Sequence, residues 1–245
     1  MPERTVTPGR IVFHELNSHD LGAAQAFYAR LFGWRFEPRD EDYLYIKSGE
    51  LLVGGLFKLP PPEVPAHWLP YIAVEAVDDA RARAEAASCT VIVPDMQVPN
   101  GRFAILQDPQ GAVFQVWQGR DGPRELGPQV PGNFCWDQLN TPDAAASAQV
   151  YGRLFGWAHM PFAGVAELSL FLRADEQVAS LMQGPSGMRA HWLAYVKVES
   201  LAEARERVWG AGGKVLVERI EVPQMGAFSV LQDTEGAPFA AFASG

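Results

Sequence analysis

The sequence predicts an α+β chain of two tandem domains, each made of two βαβββ units forming a curved mixed sheet with helices outside. Three observations predict it. The first is a repeat. Tyr28-Ala29-Arg30-Leu31-Phe32-Gly33-Trp34 returns 123 positions on as Tyr151-Gly152-Arg153-Leu154-Phe155-Gly156-Trp157. His67-Trp68-Leu69-Pro70-Tyr71 returns 124 positions on as His191-Trp192-Leu193-Ala194-Tyr195, and Leu106-Gln107-Asp108 returns 125 positions on as Leu231-Gln232-Asp233. A register that drifts by so little over a half means two copies of one domain with single-residue loop insertions. The second observation is that strand-to-helix entries occur four times, near residues 20, 78, 143 and 200. The third is a Pro- and Gly-bearing stretch, Gly119 through Gly132, between the copies. The expected boundaries are 8–119 for the first domain, 120–130 for the linker and 131–243 for the second domain.

In chain order, Ile11 to Leu16 reads as a strand, and Asp20 supplies an N-cap oxygen to the exposed amides of a helix. Ala24, Phe27, Tyr28 and Leu31 give that helix one apolar stripe, and Gly33 ends it in the left-handed conformation. The second copy repeats this with Asp143, Ser147, Val150, Tyr151, Leu154 and Gly156. Tyr43 to Lys47 and Glu50 to Val53 read as strands around Ser48-Gly49. The run Pro60 to Pro65 cannot sustain a ladder and marks a connection. Tyr71 to Val74 opens a second round, with a helix beginning near Asp78 or Asp79. In the second copy that helix carries Leu201, Ala204, Val208 and Ala211, a Ser200–Glu203 capping box and a Gly212-Gly213 stop. Two further strands flank a turn in which Asp108, Pro109 and Gly111 sit where a type I turn favours them.

Composition excludes several classes. With 48% hydrophobic residues in 245, each copy has enough apolar side chains for its own core. A formal net charge of -9 without a Lys/Arg run argues against nucleic acid or an anionic membrane as partner. Cys89 and Cys135 do not occupy matching repeat positions, so reduced thiols and a cytoplasmic protein are expected. No apolar run is long enough to span a bilayer, and Met1-Pro2-Glu3-Arg4-Thr5 does not read as a signal peptide.

The Asp-capped helix ending in Tyr-x-x-Leu-Phe-Gly-Trp, present twice, and the Asp108 to Gly111 hairpin resemble the vicinal oxygen chelate superfamily. That superfamily includes glyoxalase I, bleomycin-resistance proteins and extradiol dioxygenases. The resemblance covers nearly all of both copies and implies the glyoxalase-like fold. It specifies no single activity, because the fold hosts isomerases, lyases, dioxygenases and drug-sequestering proteins.

The resemblance also implies four metal-ligand positions on the concave face. The first, seven residues before the capping Asp, is Phe13 here and Trp136 in the second copy. His14 lies one residue away, and strand alternation turns it to the other face. The last strand of the first βαβββ unit, Leu52 to Phe57 or Val178 to Met182, offers no carboxylate. The third position is Tyr71 or Tyr195, and the fourth is Gln115 or Ala240. None of these is His, Asp or Glu, so the expectation is no metal and no other cofactor. A displaced set of His67, Glu15 and Gln115 is the alternative. Another reading makes His67 and His191 hydrogen-bond the loop preceding their strands.

The concave positions are instead aromatic and amide-rich: Phe13, Glu15, Asn17, Tyr71, Gln115 and Trp117 in the first copy. Trp136, Gln138, Asn140, Tyr195 and Phe242 are their counterparts in the second. His67 and His191 are placed at the strand mouths, Trp68 and Trp192 at the rims. Flat aromatic surface with a few amides suits a planar or apolar organic molecule. Glu15 is the one acid on this face, an orienting acceptor, a counter-ion for a cationic ligand or a general base. The sequence therefore favours a small-molecule-binding protein, monomeric, with a homodimer as the other possibility. A glyoxalase-like lyase, isomerase or dioxygenase, using displaced ligands or Glu15, is the alternative.

Overall fold

The computed structural model describes residues 8–60, 64–120 and 127–245. Most of the expected linker, residues 121–126, and part of the proline-rich connection, 61–63, lie outside the described residues, as does the N-terminal Met1 to Thr5.

The first copy runs β1 (Ile11–Ser18), α1 (Leu21–Phe32), β2 (Arg35–Pro38), β3 (Tyr43–Ser48), β4 (Leu51–Lys58), β5 (His67–Ala73), α2 (Val77–Ala86), β6 (Thr90–Val98), β7 (Gly101–Gln107) and β8 (Val113–Gly119). The second copy repeats the order with β9 (Phe134–Thr141), α3 (Ala144–Phe155), β10 (Ala158–Pro161), β11 (Leu168–Arg173) and β12 (Glu176–Gln183). It closes with β13 (His191–Lys197), α4 (Leu201–Gly210), β14 (Lys214–Val222), β15 (Gly226–Gln232) and β16 (Pro238–Ser244). Each copy forms one eight-stranded sheet, in the order β2-β3-β4-β1-β5-β8-β7-β6 and its counterpart. β1 is parallel to β4 and β5 to β8, whereas the remaining registered neighbours are antiparallel. The sheets are mixed, as a pair of βαβββ units requires.

The helices form for the reasons their sequences give. Asp20 accepts from the Ala23 amide at 2.9 Å, and Asp143 accepts from the Ala146 amide at 2.9 Å. Gly33 and Gly156 end α1 and α3 at φ 71° and 70°, where a Cβ would be strained. Ala24, Phe27, Tyr28 and Leu31 are the buried stripe of α1. In α3 the stripe is Ser147, Ala148, Tyr151 and Leu154, with Val150 only half-buried against the core. α2 begins at Val77, before the anticipated Asp78, and its N-cap Ala76 makes no side-chain cap. The short strands β2 and β10, directly after Trp34 and Trp157, carry almost no buried side chain and so no period-2 signal in sequence. No described helix is long and apolar enough to cross a membrane.

The compact bodies do not coincide with the two copies. The first consists of Met1–Phe13, Pro70–Glu125 and Asp137–Trp192; the second consists of His14–Leu69, Leu126–Trp136 and Leu193–Gly245. Each body joins one βαβββ unit from each copy. In the first, Ile72, Phe114 and Val116 pack in one core with Tyr151, Leu154, Phe171 and Trp192. In the second, Leu16, Phe27, Tyr28 and Trp68 pack with Val196, Val208, Leu231 and Phe239. The alternation of inward and outward side chains decides which residues join these cores.

Candidate functional site

In each body the three repeated motifs meet at one buried point. Trp68 Nε1 donates to Tyr28 Oη at 3.0 Å, and Tyr28 Oη donates to Asp233 Oδ2 at 3.0 Å. In the first body, Trp192 Nε1 donates to Tyr151 Oη at 3.1 Å, which donates to Asp108 Oδ2 at 3.2 Å. The other carboxylate oxygen closes the hairpin. Asp108 Oδ1 accepts from the Gln110 and Ala112 amides, and Asp233 Oδ1 from those of Glu235 and Ala237. These chains satisfy groups that would otherwise be costly to bury. They are structural, and they correct the placement of Trp68 and Trp192 at the rims. The two indoles are 4% and 5% exposed and lie in the helix-side cores. Their position follows from strand parity: Trp68 shares a face with Ile72, not with Tyr71.

The triads carry a pH signature. Burial, and then the charge of the neighbouring Asp, hold the Tyr28 and Tyr151 phenols well above the ordinary 10.0. A raised pKa means that their contribution to stability is fully present below 10.0 and lost as pH rises above it, because the unfolded chain releases protons that the folded chain keeps. The urea midpoint is expected to fall above pH 10, and these two phenols to ionise only as the chain unfolds. Their ionisation in a still-folded protein would contradict the burial argument.

The face of the sheet turned away from the helices is different in kind. In the first body, Phe13 and Tyr71 have ring centroids 5.2 Å apart, and Tyr71 and Trp117 6.1 Å apart. Gln115 pairs with Tyr71 across β5 and β8, and alternation places it on the same face as Trp117. It is 1% exposed, and neither its Oε1 nor its Nε2 has a hydrogen-bond partner. Gln138 and Asn140, also in this body, are bonded to each other at 2.8 Å, and the Ser180 hydroxyl donates to Gln138 Oε1. His191 bonds the Arg189 carbonyl through Nδ1.

In the second body, Glu15 is 6% exposed and pairs with Gly55 of β4. The Tyr43 phenol fills the space a Cβ on Gly55 would need. Asn17 is buried and its Nδ2 has no partner. His14 is fully buried on the opposite face, its ring stacked on Phe134 at 3.9 Å. His67 bonds the Pro65 carbonyl at 2.8 Å, so both repeat histidines hold the loop before their strands. Cys135, Leu193, Tyr195, Phe228 and Ala240 form a buried apolar cluster with Trp136 and Phe242 packed against it. The Tyr195 and Phe228 rings are 5.0 Å apart.

A divalent ion does not fit the donor set at the positions the resemblance assigns to ligands. Phe13 and Trp136 offer no lone pair, Tyr71 and Tyr195 offer phenols, and Gln115 and Ala240 offer an amide and a methyl. Gly55, the residue paired with Glu15, carries no side chain, and a Cβ there would meet the Tyr43 phenol. Among the described residues, no group of three or more His, Cys, Asp or Glu is placed to hold a metal.

Comparison with known proteins places this geometry among relatives. Residues 10–49 match the model for a bleomycin resistance protein-like N-terminal domain, and residues 133–242 match that for a glyoxalase-like domain. The anthracycline biosynthesis protein DnrV of Streptomyces peucetius is 30% identical over 257 aligned residues, covering 95% of this chain and 92% of that protein. CFP32 of Mycobacterium bovis, provisionally named a glyoxylase, is 28% identical, covering 98% of this chain and 97% of its own. Among solved structures, the Mn(II)-bound glyoxalase from Novosphingobium aromaticivorans superposes with a TM-score of 0.67 at 18% identity, covering 98% of this chain and 82% of that one. The 2,3-dioxygenase LapB from Pseudomonas sp. KL28 gives a TM-score of 0.67 at 14% identity, covering 98% and 94%. At those identities the structural likeness speaks to fold alone.

Proposed function

This chain belongs to the vicinal oxygen chelate superfamily, and from that premise we propose that it binds a small aromatic or apolar organic molecule without the metal that catalytic members hold. One observation carries the reading. The Phe13, Tyr71 and Trp117 rings make an aromatic bed beside Gln115, a buried amide with no partner. Aromatic rings supply flat apolar area, and an amide fixes the orientation of what lies on them. DnrV and its Streptomyces relative DauV are named for anthracycline biosynthesis, which makes a planar polycyclic molecule the first ligand class to try. The chain does this work as a monomer, in the cytoplasm, with no nucleic acid or membrane partner.

Titration with an anthracycline is the direct test. Ligand at a hundred times its Kd is expected to stabilise the fold by about 2.7 kcal/mol, read as a dose-dependent rise in Tm. Trp117→Ala should weaken the effect by removing aromatic area from the bed. Stoichiometric zinc, nickel, manganese or iron in freshly purified protein would overturn the metal-free reading. Glu15 is the buried acid that the enzymatic alternative needs as its base; turnover of any substrate that Glu15→Gln abolished, with the fold intact, would favour that alternative.

A further inference from the structure

The two copies place different chemistry at one equivalent point. Tyr71 pairs with Gln115 across β5 and β8, and Tyr195 pairs with Ala240 across β13 and β16. Ala240 is 0% exposed inside a cluster that includes Tyr195 and Phe228, so a buried methyl group stands where the first copy has the Gln115 amide. Gln115 is as deeply buried, with both amide atoms unpartnered. Gln115 is thus an orphaned amide beside the aromatic bed of the first body, where the equivalent position of the repeat holds only a methyl group.

A buried amide without partners costs stability, and such groups are retained at sites where something else completes them. We infer that the first copy alone binds ligand, one molecule per chain, and that Gln115 selects a neutral planar molecule carrying a donor and an acceptor on one edge. This deepens the reading of an aromatic ligand and rests on it. Oε1 accepts and Nε2 donates side by side, so the complement is a lactam edge or a hydroxyl beside a carbonyl. The edge is uncharged because the first body's Phe13, Tyr71 and Trp117 bring no formal charge, the buried Glu15 belonging to the second body, and an ion buried against these rings would lack compensation.

The test uses the full-length protein and two probes: phenanthridinone, a tricyclic lactam, and its N-methyl derivative, which lacks the donor. Saturable quenching of tryptophan emission gives affinity and stoichiometry. The wild-type chain is expected to bind one phenanthridinone per chain and the N-methyl derivative about tenfold more weakly. Gln115→Leu should bind both probes equally, and without ligand it should melt above the wild type, because an orphaned buried amide has been removed. Equal binding of both probes to the wild type, or two per chain, overturns the assignment of Gln115 while leaving the aromatic bed in place. No saturable binding of either probe overturns both readings.

Discussion

A chain ending at residue 125 will not hold a stable monomeric fold. Its own Ile72, Phe114 and Val116 bury themselves in a core to which the second copy contributes Tyr151, Leu154, Trp157, Phe171 and Trp192. Its Phe27, Tyr28 and Trp68 rely likewise on Val208, Leu231 and Phe239. Each large apolar side chain returned to water costs about 1.5–3 kcal/mol. Half a dozen of them cost on the order of 10 kcal/mol, comparable with the whole stability of an ordinary domain. The first-copy fragment is therefore expected to be unfolded, or to pair with a second copy of itself. Adding the fragment 126–245 should restore a folded complex. Circular dichroism and sedimentation of each fragment and of their mixture check this. A folded, monomeric 1–125 fragment with cooperative unfolding would refute it.

Tyr28→Phe should be the most costly substitution of a single atom in the second body. The phenol oxygen serves two buried groups at once, the Trp68 indole N–H and Asp233 Oδ2. Without it both lose a partner in a site closed to water, at about 1–3 kcal/mol for each unsatisfied group. A destabilisation of about 2–4 kcal/mol is expected in chemical denaturation. Tyr151→Phe should behave alike in the first body, where Trp192 and Asp108 depend on it. The two changes should add, because they share no partner. A loss below about 0.5 kcal/mol for either would mean that its indole and carboxylate find other partners.

Much of the local structure could be read residue by residue. The Asp20 and Asp143 caps, the Gly33 and Gly156 stops and the α1 stripe all stand where periodicity placed them. The same alternation that set Phe13 beside Tyr71 would have sent Trp68 to the helix side, had it been applied to His67-Trp68-Leu69 as strictly. The strands after each Gly-Trp pair escaped because exposed side chains leave no period to detect. The bonding of Gln138 to Asn140 and Ser180, against the isolation of Gln115, had no signal in the chain at all. It depends on which side chains come within 3.5 Å, and short-range pattern does not encode that distance.

By itself the sequence determined that the chain is a duplication, that each copy holds two βαβββ units, and that Phe13, Trp136, Tyr71, Tyr195, Gln115 and Ala240 stand at positions where the resemblance assigns metal ligands. Only the tertiary structure decided which unit completes which core. The physical reason is degeneracy. Tyr28 and Tyr151, Trp68 and Trp192, Asp108 and Asp233 are the same residues in the same motifs, so every local pattern fits a partner from either copy equally well. Packing of whole faces removes that ambiguity, joining Tyr28 to Asp233 and Tyr151 to Asp108 across the repeat.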